Sequence, residues 1–154
     1  MASTSNGKAN TVKTTFSRQT SVSIDINADA AIVWALLTKA EDYPRWNTTI
    51  ISIVGSIAAG QKIELRSTLD PKRTFKLTVK EFEPCKKLVW GDFQGNRRFL
   101  LDSTIAGSTT FSMTEKIGGL MFPLYAGMIP SFDESFGVFA ANLKREAELI
   151  MNEK

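Results

Sequence analysis

The chain has 154 residues and a formal net charge of +3, with 43% hydrophobic and 23% charged residues, which suits one globular domain with a substantial core. It contains no histidine and one cysteine, Cys85, so histidine-dependent catalysis, the common zinc sites and an internal disulfide are excluded. Lys8, Lys13 and Arg18 all precede the first acid, Asp25, so the excess charge belongs to the N-terminal stretch, too thin a cluster to imply nucleic acid.

Residues 1–15 are rich in Ser, Thr, Asn, Lys and Gly and offer little to bury. They are expected to form a disordered basic tail ahead of a single domain, residues 16–154. Met1 to Gln19 lacks the apolar stretch of a signal peptide. No run approaches the roughly 20 apolar residues of a membrane span. The expected location is the cytoplasm, with no integral membrane association.

The first strand is read at 20–27, where Val22, Ile24 and Ile26 alternate with polar residues. A helix is expected over about 30–39, with Val33, Trp34, Leu36 and Leu37 as its apolar positions. Tyr43-Pro44-Arg45-Trp46 suits a second short helix, since proline is tolerated in a first turn. Six strand-like segments follow, at 49–55, 61–69, 73–83, 86–93, 97–105 and 108–116. Ile63, Leu65, Ser67 and Leu69 share one face; Phe75, Leu77 and Val79 share another. Asp70-Pro71-Lys72 and Glu83-Pro84-Cys85-Lys86 are turn chemistry.

The last two segments form a hairpin around Ala106-Gly107-Ser108. Setting Ile105 opposite Thr109 brings Phe99 against Glu115, Leu101 against Met113 and Ser103 against Phe111, with Arg97 just beyond. One arginine and one carboxylate then share an otherwise apolar face. They are the polar anchors of a cavity, a structural ion pair or, if the register slips by one residue, solvent-facing charges at the sheet edge, with Arg98 then the arginine that faces the cavity.

Residues 117–130 are apolar but broken by three glycines and two prolines, which forbids a regular helix. Met121, Phe122, Tyr125 and Met128 lie in this segment, which reads equally as a lid over a cavity or as a buried connector. The final segment, 131–152, is the long helix. Ser131-Phe132-Asp133-Glu134 has the form of a capping box. Phe132, Phe136, Phe139, Leu143, Ala147 and Ile150 recur at steps of three and four on one face.

The order of elements and several short motifs resemble the START-like, or SRPBCC, helix-grip superfamily, in particular its polyketide cyclase/dehydrase branch. The motifs are Val33-Trp34-Ala35-Leu36-Leu37, Tyr43-Pro44-Arg45-Trp46-Asn47, Glu83-Pro84-Cys85-Lys86-Lys87-Leu88-Val89-Trp90 and Gly107-Ser108-Thr109-Thr110-Phe111. Glu115 with Gly118-Gly119, and Leu143-Lys144-Arg145-Glu146-Ala147-Glu148, complete the series over about residues 20–150. The resemblance implies an α+β fold: a seven-stranded antiparallel sheet wrapped around the C-terminal helix, with two short helices after the first strand and an apolar cavity within. It implies ligands such as lipids, steroids and polyketides. In many relatives the position of Arg97 carries a histidine, and that departure weakens a cyclase chemistry while leaving a cationic anchor for an acidic ligand.

The expected function is therefore binding of a small hydrophobic molecule by a monomer, without metal or cofactor. A cyclase or dehydrase using Arg97 and Glu115 is the alternative, and a protein-interaction module using the outer sheet face or the basic tail is a further one. The candidate ligand contacts are Trp46 and Trp90; Leu65 and Leu77; Arg97, Phe99, Leu101, Met113 and Glu115 of the hairpin; Met121, Phe122, Tyr125 and Met128; and Phe132, Phe136 and Phe139 of the helix. The tryptophans and phenylalanines serve equally well as core. Asp25, Asp42, Asp92 and Asp102 show no metal-ligand spacing, and Cys85 has no histidine to serve as its base.

Overall fold

Alternation of apolar and polar residues builds most of this molecule, because each strand has one face to bury. A computed structural model describes residues 6–153; residues 1–5 of the expected tail lie outside the described residues. The strands are β1 (Asn10–Lys13), β2 (Ser17–Ile26), β3 (Ile50–Val54), β4 (Lys62–Ser67), β5 (Phe75–Glu83), β6 (Lys87–Gly91), β7 (Gly95–Ile105) and β8 (Ser108–Gly118). The helices are α1 (Ala30–Thr38), α2 (Tyr43–Trp46), α3 (Phe122–Tyr125) and α4 (Asp133–Asn152). The strands form one antiparallel sheet in the order β1-β2-β8-β7-β6-β5-β4-β3. The helix-grip architecture is as expected, with eight strands where seven were expected.

The additional strand, β1, comes from the stretch expected to be a disordered tail. It pairs with β2 from Asn10↔Ser21 to Lys13↔Arg18. Its side chains are largely exposed, so it carries almost no hydrophobic signature. Main-chain hydrogen bonding holds it at the sheet edge, and polar composition does not oppose that.

The hairpin of β7 and β8 also differs from expectation. Arg97 lies directly opposite Glu115, Phe99 opposite Met113 and Leu101 opposite Phe111. The turn contains only Ala106 and Gly107, with Gly107 at φ +79, and the ladder is irregular between Asp102 and Ile105. A tighter turn and an irregularity shift the pairing by two residues. Since side chains alternate with period two, every residue keeps its face.

At the start of α4 the capping box does not form. Phe132 occupies the cap position with helical backbone angles, and Ser131 Oγ accepts the Asp133 N–H at 3.3 Å. Asp133 is also bonded through its carboxylate by the Thr11 hydroxyl of β1. The helix start is thus tied to the sheet edge.

The core lies where α4 crosses the concave face of the sheet. Phe139 is 5.9 Å from the Trp46 ring, 6.0 Å from Phe99, and 6.2 Å from both Tyr43 and Phe111, measured between ring centres. Trp90 meets Phe99 edge-on at 4.8 Å. Such aromatic pairs add about 0.5–1.5 kcal/mol each beyond the area they bury. Tyr43 is fully buried and its hydroxyl donates to the Leu37 carbonyl at 2.7 Å, locking α2 to the end of α1. Burial pushes the Tyr43 phenol far above its ordinary value, so it stays neutral.

Candidate functional site

α4 fills the sheet along only part of its length. Beyond its first turn the concave face is open, and a cavity of about 590 Å³ lies there. Its walls come from the facing ends of β4 to β8, the turns at 68–74 and 92–94, and the segment from Tyr125 to Phe132. Of the candidate ligand contacts, Leu65, Leu77, Trp90, Arg97, Glu115, Tyr125, Met128 and Phe132 line it.

The remaining candidates lie elsewhere. Trp46, Phe99, Leu101, Met113, Phe122, Phe136 and Phe139 are buried in packing and do not line the cavity. For Phe99, Met113, Phe136 and Phe139 the reason is axial position: they sit on the correct face, but where α4 presses on the sheet. Trp46 closes the core beside Tyr43, and its indole N–H has no hydrogen-bond partner among the described residues. Met121 faces outward and is exposed.

Sequence reasoning missed Ser67, Leu69, Asp70, Arg73, Phe75, Asp92, Gln94, Ile117, Ile129 and Pro130, all of which also line the cavity. Leu69 and Phe75 follow the same alternation as Leu65 and Leu77, and that signal could have found them. The turn residues carry no periodicity, so nothing local marks them.

The polar floor of the cavity is an ion pair. Arg97 Nε donates to Glu115 Oε1 at 2.7 Å, and both side chains are mostly buried. The Arg97 guanidinium lies over Phe136, 4.9 Å from the ring centre, and 5.9 Å from that of Phe139. Phe136 and Phe139 thus lie against the cation that lines the cavity. Cation–π contacts of this kind contribute about 0.5–2 kcal/mol.

Arg18 supports the cavity wall in a way that the sequence did not disclose. It is buried, with 7% of its surface exposed, although it lies in the basic N-terminal stretch. Its two terminal nitrogens donate to the Ile129 carbonyl at 3.1 Å and the Pro130 carbonyl at 2.8 Å. Its guanidinium lies 4.7 Å from the centre of the Phe132 ring. Burial holds its pKa below the ordinary guanidinium value, with Glu115 and Asp133 opposing that shift. Arg18 therefore fastens the 125–132 wall of the cavity to β2.

The segment expected at 117–130 as a lid or a connector has features of both. It contains α3 and a short 3₁₀ turn at Ala126–Met128. Phe122 is buried beneath it, stacked edge-on to Tyr125 at 5.6 Å. Leu120, Met121, Leu124 and Met128 are exposed. Phe16 and Phe93, also exposed, stand on neighbouring turns, as the Gly119 N–H donates to the Phe16 carbonyl and the Gly118 N–H to the Gln94 carbonyl. The cavity mouth thus has an apolar rim.

Among the described residues, no three histidine, cysteine or acidic side chains are grouped to hold a metal ion. No helix among them is long and apolar enough to cross a membrane.

Solved structures share this architecture. A START superfamily protein from Mycobacterium smegmatis aligns with a TM-score of 0.64 at 17% identity, over 86% of this chain and 98% of that one. The Zhui aromatase/cyclase from Streptomyces sp. R1128 aligns with a TM-score of 0.65 at 13% identity, over 86% and 94% of the two chains. A conserved protein of unknown function from Enterococcus faecalis aligns with a TM-score of 0.67 at 15% identity, over 92% and 77%. At these identities the likeness shows the fold alone. No curated protein matches the sequence. Residues 17–148, which span every element from β2 into the last turns of α4, match the family described as polyketide cyclase / dehydrase and lipid transport, and the chain belongs to it.

Proposed function

We propose that this protein binds a small hydrophobic molecule in the cavity between its sheet and the Tyr125–Phe132 wall. The observation that carries this reading is the cavity itself: about 590 Å³, within the range of about 300–1,000 Å³ typical of small-molecule sites. Leu65, Leu69, Phe75, Leu77, Trp90, Ile117 and Met128 supply apolar wall, and Arg97 with Glu115 supplies a few convergent polar groups. Burying apolar ligand surface there supplies about 25 cal/mol per Å² before the costs of association. Met128 adapts readily to ligand shape because its thioether chain is flexible. We read the protein as a monomer acting in the cytoplasm.

Titration with fatty acids, flavonoids and steroids, followed by amide chemical shifts, tests this reading. The expected result is perturbation of the residues around Leu77, Arg97 and 125–132, with Phe139 and Leu143 little affected. If no apolar compound perturbs the cavity wall, the proposal is wrong.

A second reading, a cyclase or dehydrase, draws on the Arg97–Glu115 pair facing the cavity and on membership of the family. In that reading apolar walls fold the substrate and the pair moves or stabilises a proton. Arg97→Ala and Glu115→Ala would then abolish turnover of a linear poly-β-ketone while retaining its binding.

A further inference from the structure

The inward-facing residues of three adjacent strands bring together two cations and one anion. Glu115 of β8 lies opposite Thr20 of β2 on one side and opposite Arg97 of β7 on the other. Arg18 stands one step further along the same face of β2, near enough to Glu115 for the carboxylate to favour its charged form. Asp133 also lies near Arg18, so two carboxylates face the two arginines, and of the two cations Arg97 is the one that lines the apolar cavity.

The two arginines differ in how they are used. Arg18 spends both terminal nitrogens on the Ile129 and Pro130 carbonyls. Arg97 spends only Nε, on Glu115. Its two Nη atoms have no hydrogen-bond partner among the described residues, and Arg97 lines the cavity. One face of its guanidinium rests on Phe136, which fixes the plane of the fork. A rigid guanidinium edge with unused donors is suited to accept a planar acidic group in two parallel hydrogen bonds.

The acids near the cavity mouth do not cancel this. Asp92 Oδ1 accepts the N–H groups of Gln94 and Gly95 and so belongs to its own turn. Asp70 is exposed, and Arg73, also exposed, is close to it in the same turn. The mouth joins an apolar rim to these turn charges, whereas Arg97 on the floor is mostly buried.

We propose that the ligand is a monoanionic amphiphile that enters acid first. Its planar acidic head, such as a carboxylate, seats on the Nη edge of Arg97, and its apolar body runs outward past Trp90, Leu77 and Met128. This deepens the cavity-binding reading and rests on it.

The test is calorimetric titration of the full chain at pH 8 with two matched pairs. One pair is decanoic acid and decan-1-ol; the other is 2-naphthoic acid and 2-naphthalenemethanol. In each pair the acid is expected to bind at least about tenfold tighter than the alcohol. Arg97→Gln should bring the two affinities within about twofold, mainly through loss of affinity for the acid. Arg97→Lys should keep part of the preference, retaining the charge without the fork. Glu115→Gln should widen it, by removing the carboxylate that competes with the acidic head.

Equal affinity for acid and alcohol in the wild type overturns the proposal and leaves the cavity reading intact. So does tighter binding of decylamine than of decanoic acid, which would make Glu115 the anchor. A preference undiminished in Arg97→Gln, or not widened in Glu115→Gln, also counts against it. If no member of either pair binds, the cavity reading itself fails. The wild-type ratios decide the question even where a variant does not fold.

Discussion

Tyr43 and Phe139 show how single side chains divide the labour of this interior. The Tyr43 hydroxyl ties α2 to the Leu37 carbonyl at the end of α1. Tyr43→Phe leaves that carbonyl without its donor and is expected to cost about 1–3 kcal/mol, measured by urea unfolding. Phe139 contacts four aromatic rings and is 1% exposed. Phe139→Ala should cost about 3–5 kcal/mol. Met128, by contrast, lines the cavity and is 78% exposed, so Met128→Ala should barely change the melting temperature while weakening ligand binding. That contrast separates core from site. Two carboxylates contribute to the acid limb of stability. The hydrogen bond and charge of Arg45 hold Asp42 below its ordinary value of 3.8. Burial pushes Glu148 up, but the Lys144 and Asn27 N–H hydrogen bonds bring it below its ordinary value of 4.5. A carboxylate with a depressed folded pKa contributes stability that is present above the unfolded value and lost as pH falls through the folded one. Stability should therefore decline below about pH 4.5, and Glu148→Gln should flatten that decline in unfolding measured as a function of pH.

At the scale of elements, the informative connection is between the sheet edge and the cavity wall. Arg18 of β2 holds the Ile129 and Pro130 carbonyls, and Thr11 of β1 holds Asp133 at the start of α4. The stretch expected to be a free tail thus supplies part of the fastening for the wall. Arg18→Gln is expected to raise amide hydrogen exchange across residues 121–132 by tenfold or more, with β7 and β8 unchanged. Uniform loosening of the whole sheet would instead mean that Arg18 serves global stability alone. The sequence made the strands legible because alternation marks a half-buried strand directly, as in Val22-Ser23-Ile24-Asp25-Ile26. It made β1 illegible because Asn10–Lys13 buries almost nothing and is held through its backbone. The Ser131–Glu134 pattern misled for a related reason: buried Phe132 and the pull of Thr11 on Asp133 set the helix start, not local side-chain reach.

For the whole molecule, function depends on where α4 stops filling the sheet. Its aromatic half packs against Phe99, Phe111 and Met113, and the space past Phe132 stays open. Fold class, the faces of the strands, the long amphipathic helix and the Arg97–Glu115 juxtaposition were all readable from the chain, because side-chain periods of 2 and 3.6 depend on local backbone geometry alone. Periodicity names a face, however, not a position along it. Leu77 and Phe99, or Phe132 and Phe139, are equivalent in pattern, yet one of each pair lines a cavity and the other fills a core. Only the crossing point of helix and sheet, set by the packing of side chains far apart in sequence, decided between them. The same packing turned Arg18 from one charge of a basic N-terminal stretch into a buried clasp, because its partners lie more than a hundred residues away.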